Sequence, residues 1–121
     1  MHELAIVDAL IEEVRKEVER AGAKGRVMRL DLTIGRLSGV NPDSFRFAFE
    51  MLSPGTVAEA ARLAIVEPGA VCRCLACGTT TGIEQLVAQC PRCQSDEITI
   101  EGGQDLLLQS IELEEPEPGA D

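Results

Sequence analysis

Tryptophan and tyrosine are absent from this chain and phenylalanine occurs only as Phe45, Phe47 and Phe49, so its core must be built from Leu, Ile, Val and Ala. Basic residues are scarce as well: 11 Lys and Arg against 21 Asp and Glu leave a formal net charge of −10. Five of the acids, Glu112, Glu114, Glu115, Glu117 and Asp121, fall in the last ten positions. Such a balance disfavours polyanions, and between Cys72 and Cys93 there is no aromatic ring to stack on a base, so nucleic acid is excluded as a partner. No apolar run approaches the roughly 20 residues of a membrane span. The one long amphipathic segment is acidic rather than basic, which excludes a membrane-surface helix. A serine in an elbow motif, a second histidine and a phosphate loop with its lysine are all missing, which argues against an enzyme. The start, Met1-His2-Glu3, has no basic n-region, and the apolar stretch from Leu4 to Ile11 is interrupted by Asp8. The chain is therefore expected in the cytoplasm, where thiols stay reduced.

At 121 residues the chain fits one small domain with an appended module and buries about two thirds of its unfolded surface. Leu4, Val7, Leu10, Ile11, Val14 and Val18 recur at three- and four-residue steps, which predicts a helix over 4–21 ended by Gly22 and Gly25. From Arg26 to Ile34, Met28, Leu30, Leu32 and Ile34 alternate with Val27, Arg29, Asp31 and Thr33, the pattern of a strand with one face buried. Gly35 to Val40 reads as a loop. Asn41-Pro42 caps a second helix that carries Phe45, Ala48, Phe49 and Leu52 on one face. A strand around Arg62 to Glu67 follows, Pro68-Gly69 marks a boundary, Glu97 to Ile100 is a closing strand, and Leu106 to Leu113 a last one. The order implies an α+β fold: a three-stranded sheet with two helices on one face and an inserted four-cysteine, zinc-ribbon-like module. The expected division is an α/β core of residues 1–70 plus 104–113, a zinc-binding module of 71–103, and a disordered acidic tail of 114–121 broken by Pro116 and Pro118.

Cys74-Leu75-Ala76-Cys77 and Cys90-Pro91-Arg92-Cys93 place two Cys-x2-Cys pairs twelve residues apart. Each pair can fold as a tight knuckle with both sulfurs pointing one way, and two facing knuckles supply the closed shell of four sulfurs that Zn(II) prefers. Disulfides would need an oxidising compartment, and a redox pair would normally occur once, at the start of a helix. Zinc in small finger modules contributes on the order of 10 kcal/mol or more to folding, so the cysteine segment is expected to be disordered without it. Gly78 permits a left-handed turn after the first pair. Gln94 stands where a second glycine would serve, and Cys72 is either a spare ligand or a residue packed on the strand entering the knuckle.

The single histidine, His2, offers a second chemistry. The α-amino group, the backbone nitrogen of residue 2 and the imidazole Nδ1 can close small chelate rings on one metal, with Glu3 as a fourth ligand. Such a nitrogen-rich set suits Ni(II) or Cu(II) better than tetrahedral Zn(II). On the residues alone, the alternative is that His2 merely decorates a frayed end.

Met1-His2-Glu3-Leu4 before an amphipathic helix, Ile34-Gly35-Arg36-Leu37-Ser38-Gly39-Val40, Phe45-Arg46-Phe47-Ala48-Phe49, Cys74-x2-Cys77-Gly78 and Cys90-Pro91-x-Cys93 together resemble the HypA/HybF family of hydrogenase maturation nickel chaperones. The likeness covers nearly the whole chain. It implies a non-catalytic protein that holds Ni(II) as transient cargo through Met1, His2 and Glu3 and a structural Zn(II) through Cys74, Cys77, Cys90 and Cys93. It further implies delivery to the hydrogenase large-subunit precursor with help from a HypB-like nickel-incorporation GTPase, and it leaves a homodimer open. Unlike some members, this chain has no histidine beside its cysteine pairs, so a mixed thiolate and imidazole zinc shell is unavailable. A zinc-ribbon adaptor that binds another protein, with no nickel transfer, is the alternative.

Overall fold

The computed structural model describes residues 2–114. Met1 and nearly all of the expected acidic tail, residues 115–121, lie outside the described residues. The element order is α1 (His2–Arg20), β1 (Val27–Ile34), α2 (Pro42–Leu52), β2 (Arg62–Val66), β3 (Ala70–Cys74), β4 (Thr80–Ile83), β5 (Ile98–Gly102) and β6 (Leu106–Leu113). The strands form two three-stranded sheets, β2-β1-β6 and β4-β3-β5, which with the two helices make an α+β fold. The chain divides into two compact units. One takes the segment before Thr33, Asn41–Ile65 and the segment after Leu107; the other takes Thr33–Val40 and Val66–Leu107. Three stretches of the first unit alternate with two of the second, so the chain passes between them four times.

In the first unit, α1 buries Val7, Ile11, Val14 and Val18 on one stripe and contacts α2. Its outer side carries an Arg15 guanidinium shared by Glu12 at 2.6 Å and Glu19 at 2.8 Å. Solvent-exposed pairs of this spacing stabilise a helix by only about 0.3–0.5 kcal/mol each. Gly22, at φ +65°, turns the chain so that the Ala23 amide donates back to the Val18 carbonyl, a closing motif that satisfies the last turn. At the start of α2 the Asn41 side chain accepts from the Ser44 amide at 3.0 Å, and Pro42 occupies the first turn, where no N–H is needed. Phe45, Ala48 and Phe49 are the buried face of that helix.

Helix α1 begins two residues earlier than the apolar spacing marks, because a first turn needs no intrahelical acceptor and Glu3 suits its positive dipole end. Strand β1 departs from the one-sided pattern: none of its residues is exposed, and Val27 and Thr33 are buried together with Leu30, Leu32 and Ile34. It is the middle strand, with β2 and β6 on its two edges, and on its second face Val27 and Thr33 are buried while the Arg29 side chain stays 42% exposed.

In the second unit, β3 runs antiparallel to both β4 and β5, with Cys72 opposite Thr81 on one side and Ile100 on the other. Ala70, Cys72 and Ile83 form a small core, against which Leu37, Val87, Ile98 and Ile100 pack. The 35–40 loop is stitched to this unit through its backbone. The Gly35 amide donates to the Asp105 carbonyl at 2.7 Å, Arg36 to Pro68 at 3.0 Å and Leu37 to Gly103 at 2.6 Å. A Cβ on Gly35 would lie 2.2 Å from the Gly103 carbonyl oxygen, so this close approach admits glycine alone. Among the described residues no helix is long and apolar enough to cross a membrane.

Candidate metal centres

The two Cys-x2-Cys segments fold as near copies of each other. In the first, the Cys74 amide donates to the Thr79 carbonyl at 3.0 Å, Gly78 closes back on the Cys74 carbonyl at 3.0 Å, and the Cys77 amide donates to the Cys74 sulfur at 3.4 Å. In the second, the Cys90 amide donates to Ser95 at 2.8 Å, Gln94 closes on the Cys90 carbonyl at 2.9 Å, and the Cys93 amide donates to the Cys90 sulfur at 3.5 Å. The turn needs a left-handed residue directly after the second cysteine. Gly78 supplies it at φ +74°, and Gln94 supplies it at φ +63°, the one positive-φ residue with a side chain among those described. In each knuckle the first cysteine is buried and the second exposed.

The knuckles face one another. All four sulfurs lie within 4.8 Å of each other, with Cys74 to Cys93 at 3.5 Å and Cys77 to Cys90 at 3.8 Å. Four thiolates around one ion at about 2.3 Å have sulfur–sulfur edges near ~3.8 Å in a regular tetrahedron. The donor set therefore fits a metal held tetrahedrally by four sulfurs.

The acidities show the same crowding. Hydrogen bonds from the Thr79 hydroxyl and amide hold the Cys77 thiol down to about 6, against the opposing effect of burial. The Cys93 and Arg92 amides lower Cys90. At Cys93 the contact with the Ser95 backbone, which lowers the thiol, is outweighed by the Cys74 thiol, by burial and by Cys77 and Cys90, and the group is pushed up to about 12. Sulfurs this close cannot all ionise side by side unless a cation neutralises them.

Cys72 does not join the cluster. It is buried on β3 within the small core of the second unit, and burial ahead of the neighbouring Cys90, Cys74 and Cys77 thiols pushes it up. Of the two readings open for it, packing on the strand that enters the knuckle is the one observed. The amides and hydroxyl that tune the sulfurs, from Thr79, Arg92 and Ser95, carry no residue-type signature beyond their position in the knuckle.

His2 and Glu3 lie in the first turn of α1, side by side. The imidazole Nε2 is 3.2 Å from the Glu3 Oε2; the His2 side chain is 62% exposed and that of Glu3 only 10%. Glu3 lines a groove of about 290 Å³ with Leu4, Asp43, Ser44, Phe47, Ala48 and Met51. The described residues hold one cluster of three or more His, Cys, Asp or Glu ligand atoms within reach of a single ion, and it is the four cysteines.

Known proteins of the same kind share both sequence and fold with this chain. A family model described as hydrogenase/urease nickel incorporation, metallochaperone, HypA, matches residues 1–113. The hydrogenase maturation factor HypA of Chlorobium limicola is 41% identical over 115 residues, covering 95% of this chain and 98% of the relative. The Bradyrhizobium factor of the same name is 35% identical, covering 94% of this chain and 100% of the relative. The solution structure of the nickel metallochaperone HypA from Helicobacter pylori matches with a TM-score of 0.64 at 27% identity, over 93% of this chain and 97% of that one. With a four-cysteine metal site, two helices and two three-stranded sheets in the arrangement of those relatives, this chain belongs to the HypA family of hydrogenase nickel-incorporation metallochaperones.

Proposed function

We propose that this protein carries Ni(II) at its N-terminus as cargo for the hydrogenase large-subunit precursor, while Zn(II) in the Cys74, Cys77, Cys90 and Cys93 shell keeps the second unit folded. The observation that carries the nickel reading is the placement of His2: exposed, and in the first turn of α1. The amides of a first turn have no intrahelical acceptor. The His2 nitrogen can give up its proton and bind metal without breaking a helix hydrogen bond. The exposed imidazole closes a ring with it, and the α-amino group of Met1 closes another. Three nitrogens of this kind favour a square-planar d8 ion over zinc. The four thiolates favour zinc and offer no open position for a water, which supports a non-catalytic role for that site.

On this reading the first unit is the nickel-binding core and the second the zinc module. Delivery runs through a HypB-like GTPase in the cytoplasm, where the thiolates stay reduced. The nitrogens exchange nickel for protons, so the cargo site releases its ion on terms the sulfur site does not share. Nickel affinity should fall as pH drops, because protons compete with the metal for these nitrogens.

The test is a nickel titration of wild-type and His2→Ala protein with zinc measured in parallel. The variant should lose nickel and keep one zinc and its helical signal. Equal nickel stoichiometry in both proteins would remove the cargo site and leave the zinc-ribbon adaptor as the function.

A further inference from the structure

We infer that the outer edge of β6, with α1 beside it, is a docking groove for an extended, cationic segment of another protein, which joins the β2-β1-β6 sheet as a fourth strand. In that sheet β1 is the middle strand and β6 an edge, with no strand beyond it among the described residues. A groove of about 460 Å³ follows this edge, walled on the helix side by Glu13, Glu17 and Val18. Its other wall takes Leu108, Gln109, Ser110 and Ile111 in unbroken succession. Side chains of a strand alternate between faces, so four neighbours line one hollow only where it opens on the backbone edge itself. Ser110 and Glu112 are engaged on the other face, where the Ser110 hydroxyl donates to Asp31 at 2.6 Å and Glu112 meets Arg29 at 3.1 Å. Ile111 and Leu113, both half-buried, form an apolar floor with Val18.

Sheet edges are ordinarily blunted by shortness, by Pro or Lys, or by a covering side chain. The opposite edge follows that rule: β2 has five residues, and its Leu63 carbonyl accepts from the Arg46 guanidinium at 3.4 Å. Strand β6 does not. It is eight residues long, five of them Leu or Ile, with no Pro, no Lys and one charge, Glu112. Such an edge is a template for strand addition, in which main-chain hydrogen bonds supply the affinity and side chains the choice of partner. The charge of the occupant follows from the helix wall. No Lys or Arg lines the groove, Glu13 has no ion pair among the described residues, and Glu17 pairs with Arg20. Lys or Arg on the helix-facing side of an added strand would meet the carboxylates, and their methylene stems would cover Ile111 and Leu113. A second copy of this chain would set Glu13 and Glu17 against the same acids. Residues 115–121 bring Glu115, Glu117 and Asp121, with two prolines that have no N–H to donate, so the chain's own end suits the groove no better.

The probe is a synthetic peptide of alternating Lys and Val, titrated into full-length, zinc-loaded protein and followed by backbone amide shifts and hydrogen exchange. Binding should slow exchange at alternate amides within 108–113 and shift the amides of Glu13 and Glu17. A Glu13→Lys/Glu17→Lys double variant with unchanged helical signal should bind more than about fivefold more weakly, since attraction becomes repulsion. The same peptide with alternate backbone nitrogens methylated keeps its charges and loses its donors; its affinity should fall more than about tenfold. A Glu and Val peptide should not bind. Absence of binding, equal affinity for the methylated peptide, undiminished affinity in the double variant, or shifts that map away from β6 each overturn the proposal. So does a dimer in which the outer β6 amides are already protected without peptide, which would assign the edge to a second copy.

Discussion

Exchanging the residues that follow the two knuckles tests whether they are the equivalent turns their hydrogen bonds describe. Gln94 holds φ +63° and Gly78 φ +74°, and each amide closes on the carbonyl of the first cysteine of its pair, at 2.9 and 3.0 Å. A residue with a Cβ in the left-handed region loses about 1–2 kcal/mol relative to its right-handed alternatives. Glycine removes that strain, but its freer unfolded chain offsets about 0.5–1 kcal/mol of the gain. Gln94→Gly should thus stabilise the zinc-bound unit by roughly 0.5–1 kcal/mol, and Gly78→Gln should destabilise it by a similar amount. An added Cβ at Gly78 meets nothing within 4 Å, so the second cost is one of backbone conformation without a clash. On the proposed zinc reading, folding of this unit is coupled to metal, so the differences should appear as about two- to fivefold changes in apparent zinc affinity, in opposite directions. Competition with a chromogenic chelator measures them, and the double exchange should return close to wild type. A loss of affinity in Gln94→Gly, or a gain in Gly78→Gln, would refute the equivalence of the two turns.

Asn41→Ala deletes the acceptor that holds the Ser44 amide and should lower stability by ~1 kcal/mol, seen as a lower melting temperature with zinc content unchanged. Chelating the zinc should abolish hydrogen-exchange protection at the amides of Ala70–Cys74 while those of α1 and α2 keep theirs, because the buried residues of the second unit are few and small. The Thr79 contacts favour the Cys77 thiolate, a contribution present above the ordinary thiol range and lost as pH falls through about 6. Thr79→Ala removes the hydroxyl donor, so the pH at which zinc leaves in an acid titration should move upward; a midpoint that stays or falls would show the hydroxyl to be without effect.

Legibility in the sequence varied with how much each feature depends on neighbours. The α1 stripe of Val7, Ile11, Val14 and Val18 and the Asn41-Pro42 start of α2 were readable because a single helix face and a cap are local patterns. The α+β class and the family followed from these and from the motifs. The metal-binding quartet was equally plain, since thiol spacing within a knuckle is a local requirement. Strands β3 and β4 left almost no pattern. Val71, Arg73 and the Thr80-Thr81-Gly82 run have no clean alternation, and their order comes from pairing across β3 and from the cysteines at its end. The burial of Val27 and Thr33 beside the apolar face of β1 depends on what packs there in three dimensions, a fact no window along the chain contains. Left-handed Gln94 was masked by its residue type. The His2–Glu3 contact was hidden because spacing suggested a loose start, whereas the helix already includes both residues.

Neither compact unit is a single run of sequence. Deleting the sulfur-bearing half would mean removing Thr33–Val40 and Val66–Leu107 together and rejoining three remaining pieces. A lone recombination event can therefore neither discard that half nor transplant it whole into another polypeptide. One protease nick at any junction would likewise leave both halves linked through the remaining crossings, so the N-terminal helix and the sulfur knuckles are inherited, purified and lost as one object.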